Sequence, residues 1–320
     1  MNAPLLNTLK TLKFGIEIET TGLAREPLAR AIADALGGSA SLESAGWTAR
    51  DLQGRPWRIV RDASINGGDS SGEIVSPPLA YADLELLQQV VRGVRKAGAR
   101  TDASTGIHIH VDGGLFNAQA LTFLVKSMHK QERLLEHALR IEPGRLARFC
   151  KPIDEAFLAR LERAKPRTLE GVSQAWYGRA GVCPSRYDGS RYHGLNLNSF
   201  FFRTTIEFRY FNGTLHAGEV KAYVQLVLGL AAKALTAKSA SSKRRDFNPA
   251  TAKYDFRVLL LSLGMVGDEF KTARLHLTKH LAGSAAWKGE RRDRRANGNA
   301  PAPSAAPATS DATPPSQRAA

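Results

Sequence analysis

A chain of 320 residues, 43% of them hydrophobic, is long enough for one large domain or two modest ones with a substantial core. No apolar run of about 18 residues occurs, which argues against a membrane-spanning helix, and the start MNAPLLNTLKTLK lacks the continuous apolar stretch of a secretory signal. The formal charge of +15 invites a polyanionic partner, and 15 basic against 7 acidic residues from position 236 onward put over half of that excess in the last quarter.

No helix-turn-helix, zinc finger or other reading element accompanies this charge, so sequence-specific nucleic-acid binding is not expected, and the basic tail is the place left for a non-specific role. Cys150 and Cys183 form neither a metal-ligand spacing nor a disulfide framework. They fit ordinary thiols in a reducing compartment, and a cytoplasmic protein is the expectation.

In chain order, residues 1–12 read as a lead-in, the first ten of them loose. A strand is expected over residues 13–20, carrying Glu17 and Glu19. Glu26-Pro27 starts a short helix that Gly37-Gly38 ends. Residues 57–62 and 73–76 alternate as two strands of a hairpin joined by a polar, Gly-rich loop, with Asp62 at the end of the first and Glu73 on the second. Residues 81–97 form an amphipathic helix on Leu84, Leu87, Val91 and Val94. The strand Gly106-Ile107-His108-Ile109-His110-Val111 follows. Asn117 then caps a long helix to about Arg140, on which His129 and His137 read as surface residues off the apolar stripe. A shorter helix is expected over 154–164.

Residues 177–192 are loop-like and rich in Arg and Tyr, among them Arg191. Alternation resumes at 195–198, and residues 200–211 are expected to form a strand carrying Glu207 and Arg209. An apolar helix over 217–235 closes this domain. Residues 236–250 read as a linker, 251–282 as a small helical extension docked on the main domain or on a partner, and 283–320 as a basic, then Pro/Ala/Ser-rich disordered tail.

Three of these strands share one design. Successive side chains on a strand point to opposite faces. Glu17 and Glu19 therefore share a face, as do His108 and His110, and as do Glu207 and Arg209, each pair backed by apolar residues on the other face. A single such strand is an ordinary solvated sheet face. Three of them form the floor of one active site, which Glu73 and Asp62 can approach from the hairpin. Four carboxylates in one place repel, and each pKa rises unless a cation lies between them. An oxygen-rich set with one or two imidazoles suits Mg²⁺ or Mn²⁺ better than Zn²⁺. Arginines at the rim would grip phosphate oxygens, and the combination is equipment for phosphoryl transfer.

Glu17-x-Glu19, Glu73, Gly106-Ile-His108-Ile-His110 and Ile206-Glu207-Phe-Arg209 resemble, in order, the motifs of the glutamine synthetase and glutamate–cysteine ligase superfamily. The chain is most similar to the amidoligase family, whose members are often found in prophages and peptide-modification gene clusters. The resemblance runs from about Phe14 to Leu235, making residues 13–235 the catalytic domain, and the helices after Tyr254 look like an extension that some members carry. It implies an α+β fold, an antiparallel sheet with helices packed on its outer face like a glutamine synthetase catalytic domain. It also implies ATP-dependent joining of a carboxylate to an amine through an acyl phosphate. Carried over by position, Glu17, Glu19, Glu73, His108 and Glu207 would ligate Mg²⁺ or Mn²⁺. His110 would contact the nucleotide phosphates and Arg209 the transferring γ-phosphoryl group. Arg191 would meet phosphate or a substrate carboxylate, and Asp62 a metal's outer shell or the amine.

Two features depart from glutamine synthetases. The twelve residues before the first strand cannot supply the domain that completes their site across a subunit boundary, so a shared-site ring is not implied. No glutamate-binding loop is evident, so free glutamate plus ammonia is not implied either. The amine side is open to a peptide N-terminus, a lysine, a polyamine or a small amino compound, and the basic exterior favours an acidic peptide or polyanionic acceptor. A metal-dependent phosphohydrolase and a non-catalytic binding module with a nucleic-acid-binding tail are the rival readings.

Overall fold

The structure, a computed structural model, describes residues 3–288. Its elements in order are α1 (Ala3–Thr11), β1 (Phe14–Thr21), α2 (Arg25–Leu36), β2 (Ser39–Glu43), β3 (Gly46–Arg50), β4 (Pro56–Val60), β5 (Ser71–Val75), α3 (Leu84–Lys96), β6 (Gly106–Asp112) and α4 (Ala118–Leu139). The second half adds α5 (Pro143–Arg148), α6 (Glu155–Ala164), α7 (Leu169–Tyr177), β7 (Leu195–Asn196), α8 (Asn198–Arg203), β8 (Thr205–Asn212), α9 (Ala217–Thr236), α10 (Ala252–Ser262) and α11 (Lys271–Thr278). Among the described residues the strands form one sheet in the order β2-β3-β4-β5-β1-β6-β8-β7. Every pairing in it is antiparallel. The α+β class and the helix-backed antiparallel sheet expected from the sequence are what the chain adopts.

Alternation decides which face is covered. Ile16 and Ile18 of β1, Ile107, Ile109 and Val111 of β6, and Phe208 of β8 are buried to 1% exposure or less, as is Trp57 of β4. Burying one such side chain contributes about 1.5–3 kcal/mol relative to leaving it in water. Helix α9 packs on β6 and against α1, α3, α4 and α11. It is apolar nearly all round, as a helix at the centre of a layer must be. Asn117 caps α4 as its sequence position predicts, its side chain accepting the Ala120 N–H at 2.9 Å. The opposite face of the sheet keeps the charged members of the same strands.

Several local expectations are corrected. The loose lead-in is helix α1, whose Leu5 and Leu9 are buried against the helical layer. The hairpin β2–β3 was not legible, because Ser39–Glu43 buries none of its side chains and so carries no alternation. Residues 200–203 are the end of α8 rather than strand, and β8 begins at Thr205. His129 is a buried residue, not a surface one: its Nδ1 lies 2.8 Å from the Ser242 carbonyl and its Nε2 3.2 Å from Glu155. The reason is that residues 237–248, within the stretch 236–250 expected as a linker, run as a strap over α4. His137, half-buried, meets Phe247 of the same strap edge-on. Helices α10 and α11 dock on this chain's own α4 and α9. Most of the expected disordered tail, residues 289–320 with the basic run at 291–295, lies outside the described residues. No helix among the described residues is long and apolar enough to cross a membrane.

Candidate active site

The charged residues form a row across the four strands β5, β1, β6 and β8. Glu73 of β5 sits directly opposite Glu19 of β1, and Glu17 of β1 opposite His108 of β6. His110 of β6 is opposite Glu207 of β8, which in turn is opposite Asn196 of β7. Directly opposed side chains start about 5 Å apart, so these registers alone bring the functional groups into contact. Between Ile107 and Ile109 the β6–β8 register shifts, setting Arg209 and Tyr210 of β8 opposite the single residue His108. A bulge of this kind re-aims side chains beside a site.

Glu17 is the hub. Its carboxylate lies 3.1 Å from His108 Nδ1, 3.3 Å from His110 Nε2 and 3.5 Å from Arg203 Nη2. Burial raises its pKa, but the charges of His110 and His108 and their hydrogen bonds more than offset this and hold the group well below 4.5. Glu207 is 3% exposed, accepting from Asn196 Nδ2 at 2.6 Å and from Arg209 Nη1 at 2.5 Å. Burial again raises its pKa, and Arg209, His110 and His108 outweigh it, leaving Glu207 at about 2. Arg209 is fixed in turn by donating from Nε to the Phe149 carbonyl at 3.1 Å. Glu19 accepts the Gly106 N–H at 2.6 Å.

Glu73 is the exception. Burial pushes its carboxyl up, and Glu17, Glu19, Asp62 and Glu207 push it further, to well above 4.5. Among the described residues no hydrogen-bond donor or cationic side chain meets it. Asp62, in the loop after β4, faces Glu73 and Glu19, while its Oδ1 accepts from the backbone and hydroxyl of Ser64 at 2.7 Å.

These groups overlap in three donor sets: Glu17, Glu73 and His108; Glu17, His110 and Glu207; and Glu19, Asp62 and Glu73. In each set the ligand atoms lie within 4.8 Å of one another. Oxygen-rich sets sharing members, with one carboxylate left without a counter-charge, fit Mg²⁺ or Mn²⁺. The row forms the floor of an open cleft of about 610 Å³, inside the size range of ligand pockets. Asp62 and Arg61 line one side, and Arg186, Tyr187, Arg191, Tyr192 and Arg203 the other. Arg191 is thus at the rim, its guanidinium near the Tyr187 and Tyr192 rings. His110 lies behind the wall, 3.2 Å from the Arg203 guanidinium that covers it.

Two arginines escaped the sequence reading. Arg203 has an even spacing to Glu207 and Arg209, but it ends helix α8 and reaches the cleft from there, so strand alternation does not account for its place. Arg145 was not legible. It lies in the short helix α5, is 4% exposed, and places its Nη1 3.9 Å from Glu19 while donating to the Arg209 carbonyl at 3.3 Å. A Cβ on Gly106 would stand 2.2 Å from that guanidinium, so glycine there keeps the space that Arg145 fills.

A family described as “Putative amidoligase enzyme” matches residues 10–231 of the chain. Nothing among curated proteins matches. Among solved structures the chain is similar to a bifunctional glutathione synthetase from Pasteurella multocida, at 11% identity and a TM-score of 0.41, over 87% of this chain and 48% of that one. It is similar to GmaS without ligand at 11% identity and a TM-score of 0.41, over 86% and 69% of the two chains. It is also similar to the structure of the prokaryotic ubiquitin-like protein Pup with its ligase PafA, at 12% identity and a TM-score of 0.32, over 86% and 63%. The chain spans about half the length of the glutathione synthetase.

Proposed function

The chain belongs to the amidoligase family, and from that membership and the cleft we propose that it is an ATP-dependent carboxylate–amine ligase. It forms an amide or isopeptide bond through an acyl phosphate, on peptide or glutamate-like substrates, in the cytoplasm. The observation that carries the reading is the row of carboxylates and imidazoles, with Glu73 left unneutralised, beneath a rim of arginines. Glu17, Glu19, Glu73, His108 and Glu207 would hold Mg²⁺ or Mn²⁺, with His110 close enough to share the second set. Bound there, the metal supplies charge neutralisation for the nucleotide phosphates and for the transferring γ-phosphoryl group.

The chain's own residues supply orientation. Arg209 is held rigid by Glu207 and the Phe149 carbonyl, so its charge is preorganised for the γ-phosphoryl oxygens. Arg203, partly exposed at the cleft wall beside Glu17, and Arg191 at the rim would meet phosphate or a substrate carboxylate. A carboxylate oxygen of the first substrate attacks the γ-phosphorus and ADP leaves. The amine, once it has given up a proton to free its lone pair, attacks the acyl carbon, inorganic phosphate leaves, and the nitrogen loses its second proton. Asp62, beside Glu73 on the open side, is placed to receive the cationic amine.

The test is ADP release from Mg²⁺-ATP with pools of carboxylates, alone and with amines, by wild type and Glu207→Gln. The reading expects release that needs a carboxylate and falls at least 100-fold in the variant, the scale on which removing a transition-state electrostatic group acts. Equal ADP in the variant would sink it. Full turnover with no acceptor at all would instead identify a phosphohydrolase.

A further inference from the structure

Away from the cleft, three side chains converge where the C-terminal helices meet the main domain. His216 is the N-cap of α9, Glu219 lies in its first turn, and His276 projects from α11. One ligand atom from each lies within 4.8 Å of the others. The two imidazole centroids are 4.7 Å apart, and His276 Nδ1 is 3.9 Å from Glu219 Oε1. We propose that His216, Glu219 and His276 form a second metal site, for Zn²⁺ or a similar transition ion, that clamps α11 onto α9.

The donor set is the argument for the ion. Two imidazoles and one carboxylate make a borderline-soft set that favours Zn²⁺ or Co²⁺, whereas the oxygen-rich cleft favours Mg²⁺. The surroundings are built for the convergence. A Cβ on Gly218 would stand 2.7 Å from His276 Nε2 and 3.2 Å from His216 Cε1, so a side chain there would push the rings apart. Thr214 Oγ1 donates to Glu219 Oε2 at 3.0 Å and orients the carboxylate from behind, as outer partners of metal ligands do. Two contacts compete with an ion for these ligand atoms. The Lys279 ammonium pairs with Glu219 Oε1, and His216 Nδ1 accepts the Glu219 backbone N–H at a long 3.3 Å. Lys279 is thus an internal cation that a dication must displace, and its long side chain reaches solvent.

The experiment uses the untagged full chain, stripped with chelator and then titrated with Co²⁺ in excess Mg²⁺, which competes for the oxygen-rich cleft. The expected result is one equivalent of Co²⁺ with a visible ligand-field band that Mg²⁺ does not suppress. His276→Gln and His216→Gln should each lose the band and weaken binding at least tenfold. Lys279→Met should bind Co²⁺ at least tenfold more tightly, a gain that misfolding cannot imitate. Zn²⁺ should raise the melting temperature of wild type but not of His276→Gln. A wild type without the band, or histidine variants that keep it, would overturn the proposal.

Discussion

Glu73 is a carboxylate whose pKa is raised by burial and then by its acidic neighbours, so ionising it carries a cost. A folded-state pKa above 4.5 means that ionising Glu73 opposes folding. The penalty is absent below pH 4.5, grows as the pH rises from there to the folded value, and is constant above it. Glu17 and Glu207 have the opposite sign: their contribution is present at neutral pH and is lost as the pH falls, for Glu207 toward about 2. Glu73→Gln should therefore raise the melting temperature of metal-free protein at pH 8. The gain should vanish by about pH 4, and the variant should lose most of the stabilisation that Mg²⁺ gives wild type. Thermal melts at two pH values, with and without Mg²⁺, check this. A variant less stable than wild type at pH 8 would mean that Glu73 already has a counter-charge.

At the scale of elements, strands with one face in the core were legible from alternation, and so was the row of Glu17, Glu19, His108, His110, Glu207 and Arg209. Elements with little periodic burial were not: β2 is exposed, α5 is six residues long, and α8 sits inside a run that alternates like its neighbour β8. Arg145 belongs to this hidden class, because its role depends on contact with Gly106 across 39 positions of sequence. Gly106→Ala should displace the Arg145 guanidinium, loosen Glu19 and lower activity at least tenfold, with fold retained by circular dichroism. Unchanged activity would make Arg145 a packing residue only. Helix α1 also has structural work: Leu9 is fully buried under α9. Leu9→Ala should cost about 2–5 kcal/mol, the usual range for a buried leucine. Urea unfolding measures it, and a loss under about 1 kcal/mol would show α1 to be dispensable.

For the whole molecule, the location of charge decides what a polyanion would meet. Residues 289–320 hold five arginines against three acidic residues, so little of the +15 resides there and most lies on the described body. Removing that segment should shift elution from a heparin column only slightly toward lower salt. Arg186, Arg191 and Arg203 beside the cleft are the positive groups best placed to steer an anionic substrate. A large drop in the eluting salt on truncation would move the polyanion contact to the tail.

Strand β1 also carries a consequence for how the chain reaches its native state. It comes early in the chain, ahead of every other strand among the described residues, yet it lies in the middle of the sheet, with β5 on one edge and β6 on the other. Its Glu17 meets His108 only after some ninety further residues exist, and Glu207 joins only with β8, nearly a hundred after that. Pairings this distant in sequence make for slow folding, because loop closure precedes any reward from contact. Until then the two glutamates keep an otherwise apolar strand charged and discourage it from pairing with another chain. The same carboxylates that define the cleft in the finished molecule would thus act earlier as gatekeepers against aggregation.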